Sequence, residues 1–110
     1  MNSTEEFCLV LTTCPNQREA DAHAKAIVEK RLGACVQSST INSHYMWQGE
    51  AQSEAEVLLL IKTTCARYEA LERYLASAHS YEVPQIIRIP VAGGLNAYLD
   101  WVRQSTSDDD

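Results

Sequence analysis

The sequence has no basic stripe. Nine Lys and Arg stand against fifteen Asp and Glu, a formal charge of −6, and this argues against binding a nucleic-acid backbone. Long apolar runs are missing as well, since nothing approaches the ~20 residues that a membrane span needs. The opening M-N-S-T-E-E lacks the basic-then-apolar layout of a signal peptide, so the expected location is the cytoplasm. None of the four cysteines, Cys8, Cys14, Cys35 and Cys65, belongs to a C-x-x-C pair. A zinc knuckle or dithiol metallochaperone loop is therefore not indicated. Free thiols are expected, with Cys8 and Cys35 buried. There is no G-x-S-x-G elbow, no H-E-x-x-H and no P-loop. Neither an enzyme nor an organic cofactor is expected.

What is present describes one domain with one core. Residues 7–13, F-C-L-V-L-T-T, are strand formers that stop at Cys14-Pro15. Asn16 and Glu19 have the spacing of a capping box. Ala20, Ala24, Ile27, Val28 and Leu32 then mark one face of a helix, and Gly33 stands where its end would turn left-handed. A β-prone stretch follows from Ala34 to Trp47. Gln48-Gly49 is a turn signal, and V-L-L-L-I-K-T at 57–63 reads as the next strand. The pair forms a long hairpin, with a bulge expected around Ser38–Asn42, where alternation is weak. Thr64 can cap a second helix carrying Tyr68, Leu71, Leu75 and Ala78 on one face. A fourth strand at 86–91 and a short helix capped by Asn96, with Leu99 and Val102 inward, complete the order. Three of the acids form the closing D-D-D, so 105–110 reads as an acidic tail.

The order βαββαβ plus a terminal helix leaves few topologies. The main one is an α+β, ferredoxin-like sandwich with a long β2–β3 hairpin and helices on one face. A one-sided sheet should alternate apolar and polar residues, yet Val57-Leu58-Leu59-Leu60-Ile61 and Cys8-Leu9-Val10-Leu11 do not. Both faces need cover, and a second subunit is the economical source. The alternative is that the short C-terminal helix covers the open face alone.

Three histidines offer chemistry. His23 lies off the apolar stripe of the first helix and is expected to face solvent. His44 sits beside Tyr45 and can pack on an aromatic neighbour. His79 falls at the end of the second helix, where an imidazolium interacts favourably with the helix dipole, and where a neutral imidazole would suit Cu or Zn. Cys14, at the end of the first strand, is expected to be exposed at an edge near His79. On residue types alone, His79 remains a cap or a ligand.

The stretches K-R-L-G-A-C-V, Y-M-W-Q-G, E-V-L-L-L-I-K-T-T, H-S-Y-E-V-P-Q-I and Y-L-D-W-V together resemble the CutA family of divalent-cation tolerance proteins, from about Cys8 to Arg103. The resemblance implies a single CutA-like domain in a tight homotrimer whose long hairpins join neighbouring sheets. It also implies divalent metal ions as ligands, copper among them, and the divalent affinity order then puts Cu(II) ahead of Zn(II). His79 matches the family's histidine at the end of helix two. The cysteine that some members carry late in strand one is matched by Thr12, with Cys14 two residues on. Ala78 replaces a second histidine, and Ser80 and Gln85 replace Pro and Glu of H-P-Y-E-V-P-E-I. A different function, a PII-like trimeric sensor taking a small ligand in clefts between subunits, is the other reading of this architecture.

Overall fold

The structure, a computed structural model, describes residues 5–107; the acidic residues 108–110 lie outside them. The chain runs β1 (Phe7–Cys14), α1 (Gln17–Glu29), β2 (Cys35–Trp47), β3 (Glu50–Thr64), α2 (Cys65–Ala78), β4 (Ile87–Pro90) and α3 (Asn96–Ser105). The strands form one antiparallel sheet in the order β2-β3-β1-β4, the ferredoxin-like arrangement.

Pleating decides which residues meet the helices. Cys8, Val10, Thr12 and Cys14 alternate onto one face of β1 and are all buried, as are Val57, Leu59, Ile61 and Thr63 of β3. Ala20 and Ile27 of α1 and Leu71 and Leu75 of α2 close this core. Val28, expected inside, is 45% exposed, and His23 takes the inward position instead. The helical stripe runs 20, 23, 27 because those residues, three and four apart, share a face.

Asn16 caps α1 as the spacing predicts, accepting from the Glu19 backbone N–H at 2.8 Å. The Glu19 carboxylate is used elsewhere. At the other end the left-handed residue is Arg31 (φ 59), not Gly33. Leu32 N–H donates to Ile27 O at 2.9 Å and Arg31 N–H to Val28 O at 3.1 Å, a Schellman closure. Gly33 is needed for a different reason. A Cβ there would lie 2.7 Å from Ile61 Cγ2 and 2.9 Å from Ile27 Cγ2. Cys35, expected buried, is only half-buried at the start of β2. For α3, Leu95 rather than Asn96 occupies the cap position.

The hairpin turns at Gln48 (φ 51) and Gly49 (φ 83), two left-handed residues whose twist matches that of the flanking strands. Its register is unbroken from Cys35 opposite Lys62 to Trp47 opposite Glu50, so the expected bulge is absent. Weak alternation in β2 has another cause. Most of this arm extends past the helices and is exposed, so neither side is forced to be apolar.

On the opposite face of the sheet, α3 covers one end. Phe7, Ala34 and Val102 form a second small core with Val91 and Leu99, and Lys62 Nζ lies 5.6 Å from the Tyr98 ring centre. The helix does not cover the rest. Leu9, Leu11, Leu58 and Leu60 are half-buried. Ile87 and Ile89, paired with Leu11 and Leu9, are 46% and 40% exposed. At the hairpin tip Tyr45, Met46 and Trp47 are also exposed.

Candidate functional site

Strand β1, the first turns of α1 and the end of α2 converge on one buried cluster. Cys14, Glu19 and His79 each offer a ligand atom, all within 4.8 Å of one another. Cys14 and His79 thus come together as the sequence predicted, but Cys14 is not exposed. Its parity with Val10 and Thr12 turns it toward the helices, where it is 0% exposed. Burial, and then the charges of Glu19 and Glu56, push its thiol up to about 11. The cysteine is a protonated thiol at neutral pH.

His79 is the C-cap residue of α2, its backbone N–H donating to Leu75 O at 3.0 Å. Its ring is buried, and both nitrogens are engaged. Nε2 lies 2.8 Å from Thr13 O, and a carbonyl only accepts, so Nε2 carries a proton. Nδ1 accepts from the Tyr81 backbone N–H at 3.1 Å. The geometry therefore selects a neutral Nε2–H tautomer, with Nδ1 also 3.6 Å from Glu19 Oε2. The second ring nitrogen of a metal-bound histidine characteristically donates to a carbonyl or carboxylate; Thr13 O is placed to accept that bond.

Glu19 is the residue that sequence reasoning missed, because the capping-box spacing accounted for it. Its Oε2 accepts from His23 Nε2 at 3.0 Å and from the Ser80 backbone N–H at 3.1 Å. Burial raises its carboxyl, but the bonds from Ser80 and His23 outweigh this and hold it below its ordinary value. It is a carboxylate at neutral pH. Ser80 matters here because a proline, which the resemblance places at 80, has no N–H to give.

His23 is likewise not solvent-facing. It is buried, stands one turn from Glu19, and pairs its Nδ1 with Tyr74 Oη at 3.3 Å. With Nε2–H directed at the carboxylate, Nδ1 accepts from the phenol. Its ring stacks at 5.6 Å on that of His79. The i, i+4 spacing of Glu19 and His23 was the available signal. His44, by contrast, is exposed on the hairpin, away from this cluster. Thr12 is fully buried, and its Oγ1 is the one buried side-chain polar atom without a partner among the described residues. Ala78 and Gln85 are exposed.

Tyr81 links the cluster to the outside. Its ring lies 4.9 Å from that of His79, and its hydroxyl donates to the buried Glu56 carboxylate at 2.6 Å. Burial and that carboxylate hold the Tyr81 phenol above its usual range. Beyond it, an open cleft of 640 Å³ runs between the hairpin and the segment after α2, lined by Tyr45, Trp47, Glu54, Tyr81 and Val83 among others.

Comparison with known proteins matches this architecture. The family described as CutA1 divalent ion tolerance protein matches residues 8–105. The divalent-cation tolerance protein CutA of Thermus thermophilus is 43% identical over 99 residues, spanning 89% of this chain and 96% of that protein. Protein CutA of Homo sapiens is 46% identical over 86% of this chain, which spans 53% of the human protein, about half its length. Among solved structures, CutA from Synechococcus elongatus has a TM-score of 0.92 at 38% identity, covering 96% of this chain and 95% of that one. CutA1 from Oryza sativa gives 0.91 at 37% identity, covering 97% and 100%. Matching sequence and matching backbone over nearly the whole fold mean that the chain belongs to the CutA1 family of divalent ion tolerance proteins.

Proposed function

We propose that this chain is a cytoplasmic, homotrimeric metal-binding protein of divalent-cation tolerance, taking Cu(II) and, more weakly, Zn(II) between Cys14, Glu19 and His79. The observation that carries the reading is the convergence of a thiol, a carboxylate and an imidazole nitrogen within 4.8 Å. Such a mixed S/O/N set suits borderline ions, among which copper stands highest in the divalent affinity order. An ion with bonds of about 2.0–2.3 Å in tetrahedral geometry holds its ligands roughly 3.3–3.8 Å apart. The 3.6 Å between His79 Nδ1 and Glu19 Oε2 falls in that range. Binding would replace the Tyr81 N–H at Nδ1 and the proton on Cys14. This chain's work is to hold and orient the ion's ligands, and no catalytic step is part of the reading.

The trimer is supported by the apolar strip that α3 leaves open, from Leu58 and Leu60 through Leu9 and Leu11 to Ile87 and Ile89. Four free thiols suit a reducing compartment. Calorimetric titration with Cu(II) and Zn(II), without oxygen, tests the metal site on wild type, Cys14→Ser, Glu19→Gln and His79→Ala. Wild type should bind one ion per chain at about micromolar affinity or weaker, Cu(II) ahead of Zn(II), and each variant should bind at least about tenfold more weakly. Equal affinity in all four would remove these residues as ligands and leave His79 a helix cap.

A further inference from the structure

The three ligand groups of the divalent site are not equally reachable. Cys14 and the His79 side chain are fully buried, while Glu19 keeps 19% of its side chain open. An ion that meets Glu19 first still needs Nδ1 of His79, and the Tyr81 backbone N–H occupies that nitrogen at 3.1 Å. Access to the imidazole therefore depends on what holds Tyr81.

Residues 79–86 join α2 to β4 without helix or strand. From Ser80 to Gln85 no backbone–backbone hydrogen bond is made among the described residues. Three other bonds hold the start of this segment. Ser80 N–H reaches Glu19 Oε2 on α1 at 3.1 Å, Tyr81 N–H reaches its neighbour His79, and the Tyr81 hydroxyl reaches Glu56 Oε2 at 2.6 Å. Of the three, the phenol bond alone ties the segment to the sheet, since Glu56 belongs to β3 and is buried. It is also short and made to a carboxylate, which places it among the strong hydrogen bonds. Ile86 anchors the far end by packing on the main core. In between, Glu82, Val83 and Gln85 are exposed and border the open cleft. A stretch with so few backbone bonds and open space beside it is of the kind that opens locally while the rest of the fold stays intact.

We propose that Tyr81 is a latch on the divalent site, an inference that rests on the metal-binding reading above. The bond from its phenol to Glu56 keeps the 80–85 segment closed and its own N–H on His79. When the phenol leaves Glu56, the segment swings toward the cleft and the residue-81 N–H leaves Nδ1. The freed lone pair, 3.6 Å from Glu19 Oε2, is then available to the ion. Tyr81 is a positioning residue in this scheme and not a ligand. Its hydroxyl sets how often the imidazole is presented.

The test reads the latch first without metal and then with it, on the full chain under reductant. Amide hydrogen exchange resolved by NMR should show the Ser80 and residue-81 N–H groups exchanging about tenfold faster or more in Tyr81→Phe, because a hydrogen bond to a charged group is lost. The His79 N–H, which closes α2 on Leu75 O, should keep its wild-type rate. Glu56→Gln leaves a neutral acceptor and should give a smaller rise at the same two amides. Stopped-flow mixing with Zn(II), read by competition with a chromophoric chelator, should show Tyr81→Phe associating faster by the same factor, since the competent fraction has grown by that factor. Unchanged exchange at 80 and 81, a rise spread over α2 and the sheet, or faster exchange without faster association would each overturn the latch. A wild type that takes up no Zn(II) would overturn the divalent reading and the latch with it. Normal uptake beside unchanged exchange would overturn the latch alone, so the two failures are distinguishable.

Discussion

If Cys14 is a ligand, metal affinity must depend on pH in a calculable way. The thiol is fully buried, and burial with two nearby carboxylates pushes it up to about 11. At pH 7 it lies about four units from ionising, so roughly one chain in ten thousand carries the thiolate, a cost of about 5 kcal/mol on binding. Glu19 is already ionised at that pH, and the geometry gives His79 a neutral ring with its lone pair at Nδ1. One proton should therefore leave per ion bound, and it should come from Cys14. The sign follows: raising pH lowers the cost, so apparent Zn(II) affinity should rise about tenfold per unit from about pH 7 to about pH 9. Calorimetry in two buffers of different ionisation heat counts the released proton directly. Cys14→Ser should flatten the slope, because a serine hydroxyl does not ionise in this range. A wild-type slope near zero, or a serine variant with the wild-type slope, would refute the assignment.

Further outcomes follow from the same packing. Gly33→Ala places a Cβ against Ile61 and Ile27 and should destabilise by about 1–3 kcal/mol in chemical denaturation; an unchanged midpoint would show that those side chains give way. Glu19 has a lowered carboxyl, so its stabilising contribution is complete above its ordinary value of 4.5 and is lost as pH falls through the folded value; Glu19→Gln should flatten the acid limb of a pH–melting curve. Light scattering should find a trimer at micromolar concentration, and Ile89→Glu, at the 40% exposed position beside Leu9, should weaken it; a stable wild-type monomer would end the trimer reading. Trp47→Ala should destabilise the assembly by about 3–5 kcal/mol if a neighbour buries the ring, read as a lower melting temperature, whereas unchanged melting and size would show a free hairpin tip.

Local rules written in the sequence determined the elements. Strand formers before Cys14-Pro15, the Asn16 cap, the Gln48-Gly49 turn and the spacing of Leu71 and Leu75 depend on neighbours within a few positions, and each is found in the fold. The closeness of His79 to Cys14 was also legible, since the βαββαβ order sets β4 beside β1 and returns α2 to that end. What the chain alone did not decide were the questions of facing. Cys14 was expected at an open edge but is sealed under α1, which follows it directly, and α2, which returns from more than fifty residues away. His23 was expected outside and Val28 inside, but the crossing of α1 over the sheet turned that stripe by about one residue. Gly33 was read as a left-handed cap, whereas its role is contact with Ile61, a partner far along the chain. Glu19 shows the difference most plainly. Its spacing from Asn16 explains a backbone cap, but its carboxylate serves His23 and Ser80, because only the packed α1–α2 pair brings position 80 against the first turn of α1.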